Sequence, residues 1–256
     1  MATEAGPAIN PIEQFSIHPV LPIQIGHIDF SLTNSGLYML LAVALSCLIA
    51  AVAARGGSGV PGRLQAAGEM GYEFIAGMVR SAAGEGGMRF FPLVFSIFFF
   101  IMLANVVGLI PYTFSVTSQI IVTAALALIV FFTVVIVGIR DHGLQFFKLF
   151  VPQGVPIYIL PLVVAIEVIS FLTRPLSHSV RLFANMLAGH ITLAVFGGFV
   201  VMLLGAGAVL KGVAILPFLM IIAIYALELL VAFLQAYVFA MLTCMYLNDA
   251  LHPGGH

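Results

Sequence analysis

Two apolar segments in the C-terminal half of the chain are each longer than a lipid bilayer is thick. The first covers residues 157–204 and the second covers residues 213–247. Because a helix rises about 1.5 Å per residue, each segment would exceed a bilayer core of about 30 Å. We therefore expect such a segment to double back or to lie strongly tilted. Pro161 and Pro175 do not force a break, since membrane helices tolerate proline.

Three shorter apolar segments precede these two, and each is long enough to cross a bilayer once. They are Leu37–Ala54, Phe90–Tyr112 and Ser118–Ile139. Hydrophobic residues make up 62% of the chain and charged residues only 7%, whereas soluble domains carry about 25% charged residues. The sequence therefore predicts an all-α, polytopic membrane protein with about five membrane-crossing helices.

The connection between the first two spans contains an amphipathic segment, residues 64–83. Its apolar residues recur close to the period of a helix and lie opposite a polar set. The apolar set is Leu64, Ala67, Gly71, Phe74, Ile75 and Met78, and the polar set is Arg63, Gln65, Glu69, Glu73 and Arg80. This pattern predicts a helix along the membrane interface, with a soluble linker helix as the alternative. After the third span, residues 140–148 read as an interfacial loop.

The two ends of the chain are predicted to lie outside the bilayer core. Residues 1–36 contain no Lys or Arg, and four prolines favour an irregular tail: Pro7, Pro11, Pro19 and Pro22. Apolar positions in this tail would let it rest on the bilayer or on a partner. At the other end, Asn248, Asp249 and His252 are expected to end the chain in water.

The distribution of Lys and Arg predicts the orientation in the membrane. The basic residues of the connections after the first and third spans are Arg55, Arg63, Arg80, Arg89, Arg140 and Lys148. Cytoplasmic loops are enriched in Lys and Arg. We therefore expect the N-terminus outside and the C-terminus in the cytoplasm, with Lys211 as the one exception to the bias.

Three charged residues inside the first long segment follow one another at steps of seven: Glu167, Arg174 and Arg181. A charge at the centre of a membrane helix costs about 2.5–3.5 kcal/mol on insertion scales, so these positions indicate function. Ion pairs within a helix need steps of three or four, and no carboxylate stands at those steps from Arg181. Its guanidinium stays charged at any ordinary pH. We expect its counter-charge to come from another helix or another chain.

The protonatable residues of the apolar segments suit a proton pathway. They are Glu167, His178, His190 and Glu228, accompanied by Ser, Asn and Gln. Histidine, with an ordinary pKa of about 6.5, exchanges protons near neutrality, and desolvation lets a buried carboxyl group do so as well. Two alternatives stay open: a structural ion pair between Glu228 and an arginine, with His190 as a packing residue, and either a structural or a functional role for Asn105.

Other kinds of chemistry find little support in the sequence. There is no G-x-S-x-G, no H-E-x-x-H and no P-loop, so neither hydrolysis nor nucleotide binding by those motifs is expected. His178 and His190 lack an obvious third metal ligand, and we expect no metal or cofactor. Cys47 and Cys244 are interpreted as small packing residues. No basic run indicates nucleic acid.

Three motifs resemble subunit a of the rotary F-type ATP synthase. The most specific is residues 181–190 (RLFANMLAGH); the others are residues 234–243 (LQAYVFAMLT) and residues 105–111 (NVVGLIP). The resemblance implies the stator half of a membrane proton motor. Two long C-terminal helices would form a tilted hairpin against a ring of c subunits, and two half-channels would lead protons to the ring carboxylates.

The resemblance also implies roles for individual residues. Arg181 matches the arginine that faces the ring carboxylate, and Arg174 and Asn105 are expected to be structural. The outer half-channel would contain Asn185, His190, Glu228 and Gln235, and the cytoplasmic side would contain Glu167, Ser170, Thr173 and Ser177. Many bacterial members have an acid at the position of His190 and a histidine at that of Glu228. This paired exchange, shared with mitochondrial relatives, predicts that the two are close in space.

The implied organisation has three parts. Residues 1–36 form an extracytoplasmic tail, residues 37–156 hold the first three transmembrane helices with the interfacial helix, and residues 157–256 form the hairpin that carries the proton pathway. We expect no enzymatic activity of the chain alone. The expected partners are the c-subunit ring, the b-subunit stalk, other subunits of the complex and lipid. The expected location is the bacterial plasma membrane, with the mitochondrial inner membrane as the alternative.

Two other classes compete with this interpretation. A stand-alone secondary transporter could use Arg181 to bind an anionic substrate, but such folds usually contain internal repeats, and none is visible. A purely structural assembly subunit would not need so many costly polar groups in its membrane segments.

Overall fold

The structure, a computed structural model, is almost entirely helical. It describes residues 15–22, 24–25, 28–29, 31–54, 62–110, 113–151, 156 and 158–252. Within these residues the chain forms seven α-helices: α1 (Asn34–Ala54), α2 (Arg63–Gly87), α3 (Phe91–Leu109), α4 (Ile120–His142), α5 (Leu160–Gly205), α6 (Ala208–Val213) and α7 (Ile215–Leu251).

The described residues contain five helical stretches that are long and apolar enough to cross a membrane. They are Asn34–Val52, Gln65–Leu109, Ile120–His142, Leu160–Gly205 and Leu210–Leu251. The first three predicted spans correspond to α1, α3 and α4, with ends that differ by a few residues. The predicted all-α polytopic membrane fold is confirmed.

The two overlong apolar segments form α5 and α7, which contain 46 and 37 residues. Each is one helix, so neither segment doubles back, and α5 continues through Pro175. At about 1.5 Å per residue the helices extend over about 69 Å and 56 Å. Helices of this length fit a bilayer core of about 30 Å only when strongly inclined. The short α6 joins them into a hairpin.

The hydrophobic core lies where α2, α3, α4 and α7 meet. Side chains with no more than 1% exposure come from several of these helices: Ile75, Val79, Val94, Ile101 and Leu247. Small residues of α7, namely Ala236 and Ala240, are fully buried among them. They let α7 approach its neighbours closely, which is the usual basis of helix packing in membranes.

The amphipathic segment forms α2, as predicted, and α2 ends a few residues later than expected. Ile75 and Met78 of the predicted apolar face are buried, but Ala67 and Phe74 are exposed. The apolar face packs against α1 and α7 of the same protein, a contact that the pattern alone did not indicate. The helix breaks at Gly84, whose φ of +67° favours glycine.

The expectation of an irregular N-terminal tail is wrong for the parts of it that form strands: residues 19–21, 24–25, 28–29 and 32–33. Strand β1 (Pro19–Leu21) pairs with β4 (Leu32–Thr33), and β2 (Gln24–Ile25) pairs with β3 (Ile28–Asp29), both antiparallel. Pro19 begins β1 and Pro22 follows its end, where a missing N–H group is tolerated. Pro7 and Pro11 lie outside the described residues.

The predicted interfacial loop at residues 140–148 is more ordered than expected. Helix α4 continues to His142, and residues Gly143–Phe150 form a 3₁₀ helix. Phe146 is buried against Gly138, where an added Cβ would lie 2.2 Å from the Phe146 ring. Asp141 also forms an ion pair with Arg89. These contacts stabilise helical turns where the sequence predicted a loop.

Candidate functional site

The hairpin brings together two protonatable side chains from different helices. His190 of α5 and Glu228 of α7 lie with Nε2 and Oε1 4.0 Å apart, and their side chains are only 12% and 4% exposed. Within the described part of the chain, neither His190 Nε2 nor either Glu228 oxygen has a hydrogen-bond partner. Burial of such groups is costly, which points to a functional role for the pair.

Gly189 makes the close approach of Glu228 to α5 possible. A Cβ built at this position would lie 2.3 Å from Glu228 Oε1 and 2.8 Å from the carboxyl carbon. A larger residue at position 189 would therefore push the carboxyl group away from His190. The sequence motif contains Gly189, but its role depends on a neighbour 39 positions away and could not be recognised beforehand.

Polar contacts fix α7 against α3 near this pair. Asn105 is fully buried; its Nδ2 donates to the carbonyl oxygen of Ala232 at 3.2 Å, and its Oδ1 accepts from Thr117 Oγ1 at 2.7 Å. Tyr225, one turn before Glu228, donates its hydroxyl to the carbonyl oxygen of Leu109. Asn105 thus joins α3 to α7 and to Thr117 through buried hydrogen bonds.

Arg181 lies on an exposed face of α5. Its neighbours on this face are small or polar and also exposed: Ser170, Thr173, Ser177, Ala184 and Ala188. Among the residues that the structure describes, no carboxylate lies within ion-pair distance of Arg181. The described residues therefore provide no counter-charge for the guanidinium of Arg181.

Arg174, one of the predicted structural residues, does have a counter-charge. Its Nη1 lies 3.0 Å from Asp249 Oδ2, and its guanidinium lies over the rings of Tyr246 (4.7 Å) and Phe171 (5.4 Å). The expectation that Asp249 ends the chain in water is wrong, because α7 continues to Leu251 and holds Asp249 against α5. Together with the His190–Glu228 pair, this contact shows that α5 and α7 are antiparallel.

His178 lies one turn before Arg181 but points into the protein. It is 5% exposed, and its ring packs against Phe239 (4.8 Å) and Tyr246 (5.3 Å). Its Nε2 has no hydrogen-bond partner in the described ranges. The neighbouring Ser179 bonds to Thr123 of α4 at 3.1 Å. This part of α5 is anchored on both α4 and α7.

The other predicted site residues are distributed along the hairpin. Glu167 and Gln235 are half-buried, and Asn185 is exposed. In the described portion of the chain, no hydrogen bond links Asn185 or Gln235 to His190 or Glu228. Thr173 donates to the carbonyl oxygen of Ser170 at 2.8 Å. The structure thus joins only His190 and Glu228 among the predicted residues of the outer side.

Fold and site together define a polytopic helical protein that conducts ions across a membrane. A buried carboxyl–imidazole pair inside an apolar bundle is a feature of proton and ion pathways, and so is a cation on an exposed helix face with no partner among the described residues.

Comparison with known proteins identifies the family. Residues 36–248 match the family model described as ATP synthase A chain. ATP synthase subunit a of Bradyrhizobium diazoefficiens is 61% identical over 250 residues, which cover 96% of this chain and 99% of the relative. The subunit a of Rhizobium rhizogenes is 60% identical over 249 residues, covering 97% and 100%. That of Rhodopseudomonas palustris is 60% identical over 247 residues, covering 96% and 99%.

The chain therefore belongs to the ATP synthase subunit a family, as its motifs predicted. It is the proton-translocating component of the membrane sector and works with other ATP synthase subunits. This assignment argues against the stand-alone secondary transporter.

Proposed function

We propose that this chain is the stationary proton conductor of a rotary ATP synthase and that it serves the carboxylates of a c-subunit ring through two half-channels. The observation that carries the proposal is the exposed Arg181, which has no ion-pair partner among the described residues and lies on a face of small or polar residues. The chain itself would not be catalytic, and the b-subunit stalk would hold it in place. Residues 157–256 would carry the pathway.

The exposed face around Arg181 fits a partner helix. Small residues allow the backbones of membrane helices to approach closely, and Ser177, Ala184 and Ala188 flank Arg181 on this face. A partner helix on this face would bury Arg181, and a buried cation needs a counter-charge, which the described residues of this chain do not provide. A helix with a carboxylate at the same depth would provide both the packing and the charge.

The His190–Glu228 pair would form the inner end of the outer half-channel. His190 lies nine positions after Arg181, which is about two and a half turns of α5, so it is on the opposite side of the helix and about 13.5 Å further along it. Protons would pass between the imidazole and the carboxyl group through a shared water, since a separation of 4.0 Å exceeds a direct hydrogen bond. Asn185 and Gln235 would line the route toward the ring.

The cytoplasmic half-channel would use the other end of the exposed face. Glu167, Ser170, Thr173 and Ser177 would lead protons from the ring to the cytoplasm. Arg181 stands between the two routes and cannot exchange a proton. It would therefore keep the routes separate, while Arg174 and Asn105 fix the helices that carry them.

The contact with the ring can be tested by cross-linking in the whole complex. Ser177→Cys and Ala188→Cys, in a background without Cys47 and Cys244, should form disulfides with a cysteine placed next to the ring carboxylate. Leu172→Cys is the matched control, since Leu172 is also exposed but lies about 180° around α5 from Arg181. Cross-links from Leu172→Cys alone, or failure of the ring to co-purify with the chain, would contradict the proposal.

The orientation is a separate proposal that follows from the Lys and Arg distribution. The N-terminal segment would lie outside the plasma membrane, and both the 55–89 region and the C-terminus would lie in the cytoplasm. Single cysteines at Ser58 and Gly255, both outside the described residues, should react with an impermeant thiol reagent only from the cytoplasmic side. Labelling of either cysteine from outside intact cells would reverse the assignment.

A further inference from the structure

The N-terminal segment reaches the His190–Glu228 pair through one aromatic side chain. The rings of Phe15 and His190 meet at 69°, with centroids 6.1 Å apart. Edge-to-face contacts are favourable at centroid distances of about 4.5–7 Å. Phe15 is half-buried, whereas Ile17, Val20 and Leu21 of the same segment are each at least 50% exposed. The segment therefore directs Phe15, and not its other apolar residues, toward α5.

Hydrogen bonds from two helix starts fix the backbone that carries this ring. Gln119, directly before α4, donates Nε2 to the carbonyl oxygen of Phe15 at 3.1 Å. Asn34, the first residue of α1, donates Nδ2 to the carbonyl oxygen of Ser16 at 3.1 Å. Oδ1 of Asn34 accepts from the backbone N–H of His18 at 3.2 Å. The Phe15 ring is thus held in place relative to the bundle.

The His190 imidazole is enclosed from two sides as a result. Glu228 faces the His190 imidazole from α7, and Phe15 covers it from the N-terminal segment. The His190 side chain retains 12% exposure, so access is restricted but not abolished. The proposed orientation places the N-terminal segment outside the membrane, on the side from which protons would enter the outer half-channel.

We propose that Phe15 is a positioning residue of the outer half-channel: its ring covers the His190 imidazole, and protons reach His190 only past this ring. The inference rests on the proposed pathway through His190 and Glu228. Removal of the ring exposes the imidazole to water and frees it from the orientation in which it faces Glu228. Gln119 acts through Phe15 by holding its backbone.

The test uses whole complexes in inverted membrane vesicles with Phe15→Ala, Gln119→Ala and the control Ile17→Ala. Diethyl pyrocarbonate modifies accessible imidazoles, and mass spectrometry gives the extent at His190 relative to the exposed His252. We expect a severalfold rise at His190 in Phe15→Ala, a smaller rise in Gln119→Ala and none in Ile17→Ala. ATP-driven proton uptake should fall in the same order.

Two results would overturn the inference. Unchanged reactivity of His190 in Phe15→Ala would show that the ring does not cover the imidazole. Raised reactivity with proton uptake equal to that of the unmodified complex would show that the cover has no role in positioning. The proposed pathway fails by a different result, which is normal proton uptake after substitution of Glu228, whatever Phe15 does to the reactivity of His190.

Discussion

Vesicles that carry an Arg181→Ala complex should neither synthesise ATP nor pump protons on ATP hydrolysis. In the proposed mechanism, the fixed charge of Arg181 favours the ionised form of a ring carboxylate that arrives beside it. A carboxyl group that faces lipid keeps its proton because of desolvation. Without the guanidinium, a protonated ring site can pass between the two half-channels. We therefore expect passive proton flow through the membrane sector to persist or increase while coupling is lost.

The measurement is proton flux into vesicles that contain the membrane sector, beside ATP synthesis by whole complexes. Arg181→Lys should also be strongly impaired, since an amine lacks the planar guanidinium and can lose its proton when buried. Arg174→Gln is the matched control, two turns away on the same helix. It loses the ion pair with Asp249 and should weaken the hairpin with a milder effect on coupling. Near-normal ATP synthesis in Arg181→Ala would remove the central residue of the mechanism.

The membrane helices could be predicted from the sequence because their signal is local. The length of an apolar segment decides whether it can cross a bilayer. The predicted first three spans therefore differ from α1, α3 and α4 by only a few residues at their ends. The sequence does not decide whether α5 is continuous, since a 46-residue helix and two shorter ones have the same composition. The contacts of α5 with α4 and α7 join residues that are distant in sequence, so the local pattern does not contain them.

The site could be predicted only in part. The exchange of His190 and Glu228 relative to other members predicted that they are close, and they lie 4.0 Å apart. The ion pair between Arg174 and Asp249 could not be predicted, because Asp249 follows the long apolar segment 213–247 and is interpreted from sequence as part of a polar end. Gly189 and Phe15 could not be predicted either, since each contacts a residue distant in sequence. Residue type alone does not reveal such contacts.

Glu228→Gln should reduce ATP-driven proton uptake by about 100-fold or more, the range typical of a lost acid–base group. The amide keeps the shape of the side chain but cannot accept or release a proton in this pathway. Because the substitution changes little of the volume packed against Gly189, the complex should still assemble. Assembly is checked by co-purification of the ring, and proton uptake is measured in inverted vesicles.

The geometry of the pair can be tested without removing either group. Gly189→Ala places a Cβ where the Glu228 carboxyl group lies, so the carboxyl group must move away from His190 and uptake should fall strongly. Gly197→Ala is the matched control on the same helix, because nothing lies within 4 Å of a Cβ at that position. Equal uptake in the two variants would show that the approach of Glu228 to α5 does not matter for conduction.

Exchange of the two side chains gives the most specific test of their proximity. His190→Glu and Glu228→His should each impair proton uptake, since each alone leaves two like groups at the site. The double variant restores one imidazole and one carboxyl group in the same small volume, although on opposite helices. Coupling between neighbours of this kind makes the effects of substitutions non-additive. We expect the double variant to pump faster than the worse single variant. A double variant no better than that single variant would show that His190 and Glu228 act at separate points of the pathway.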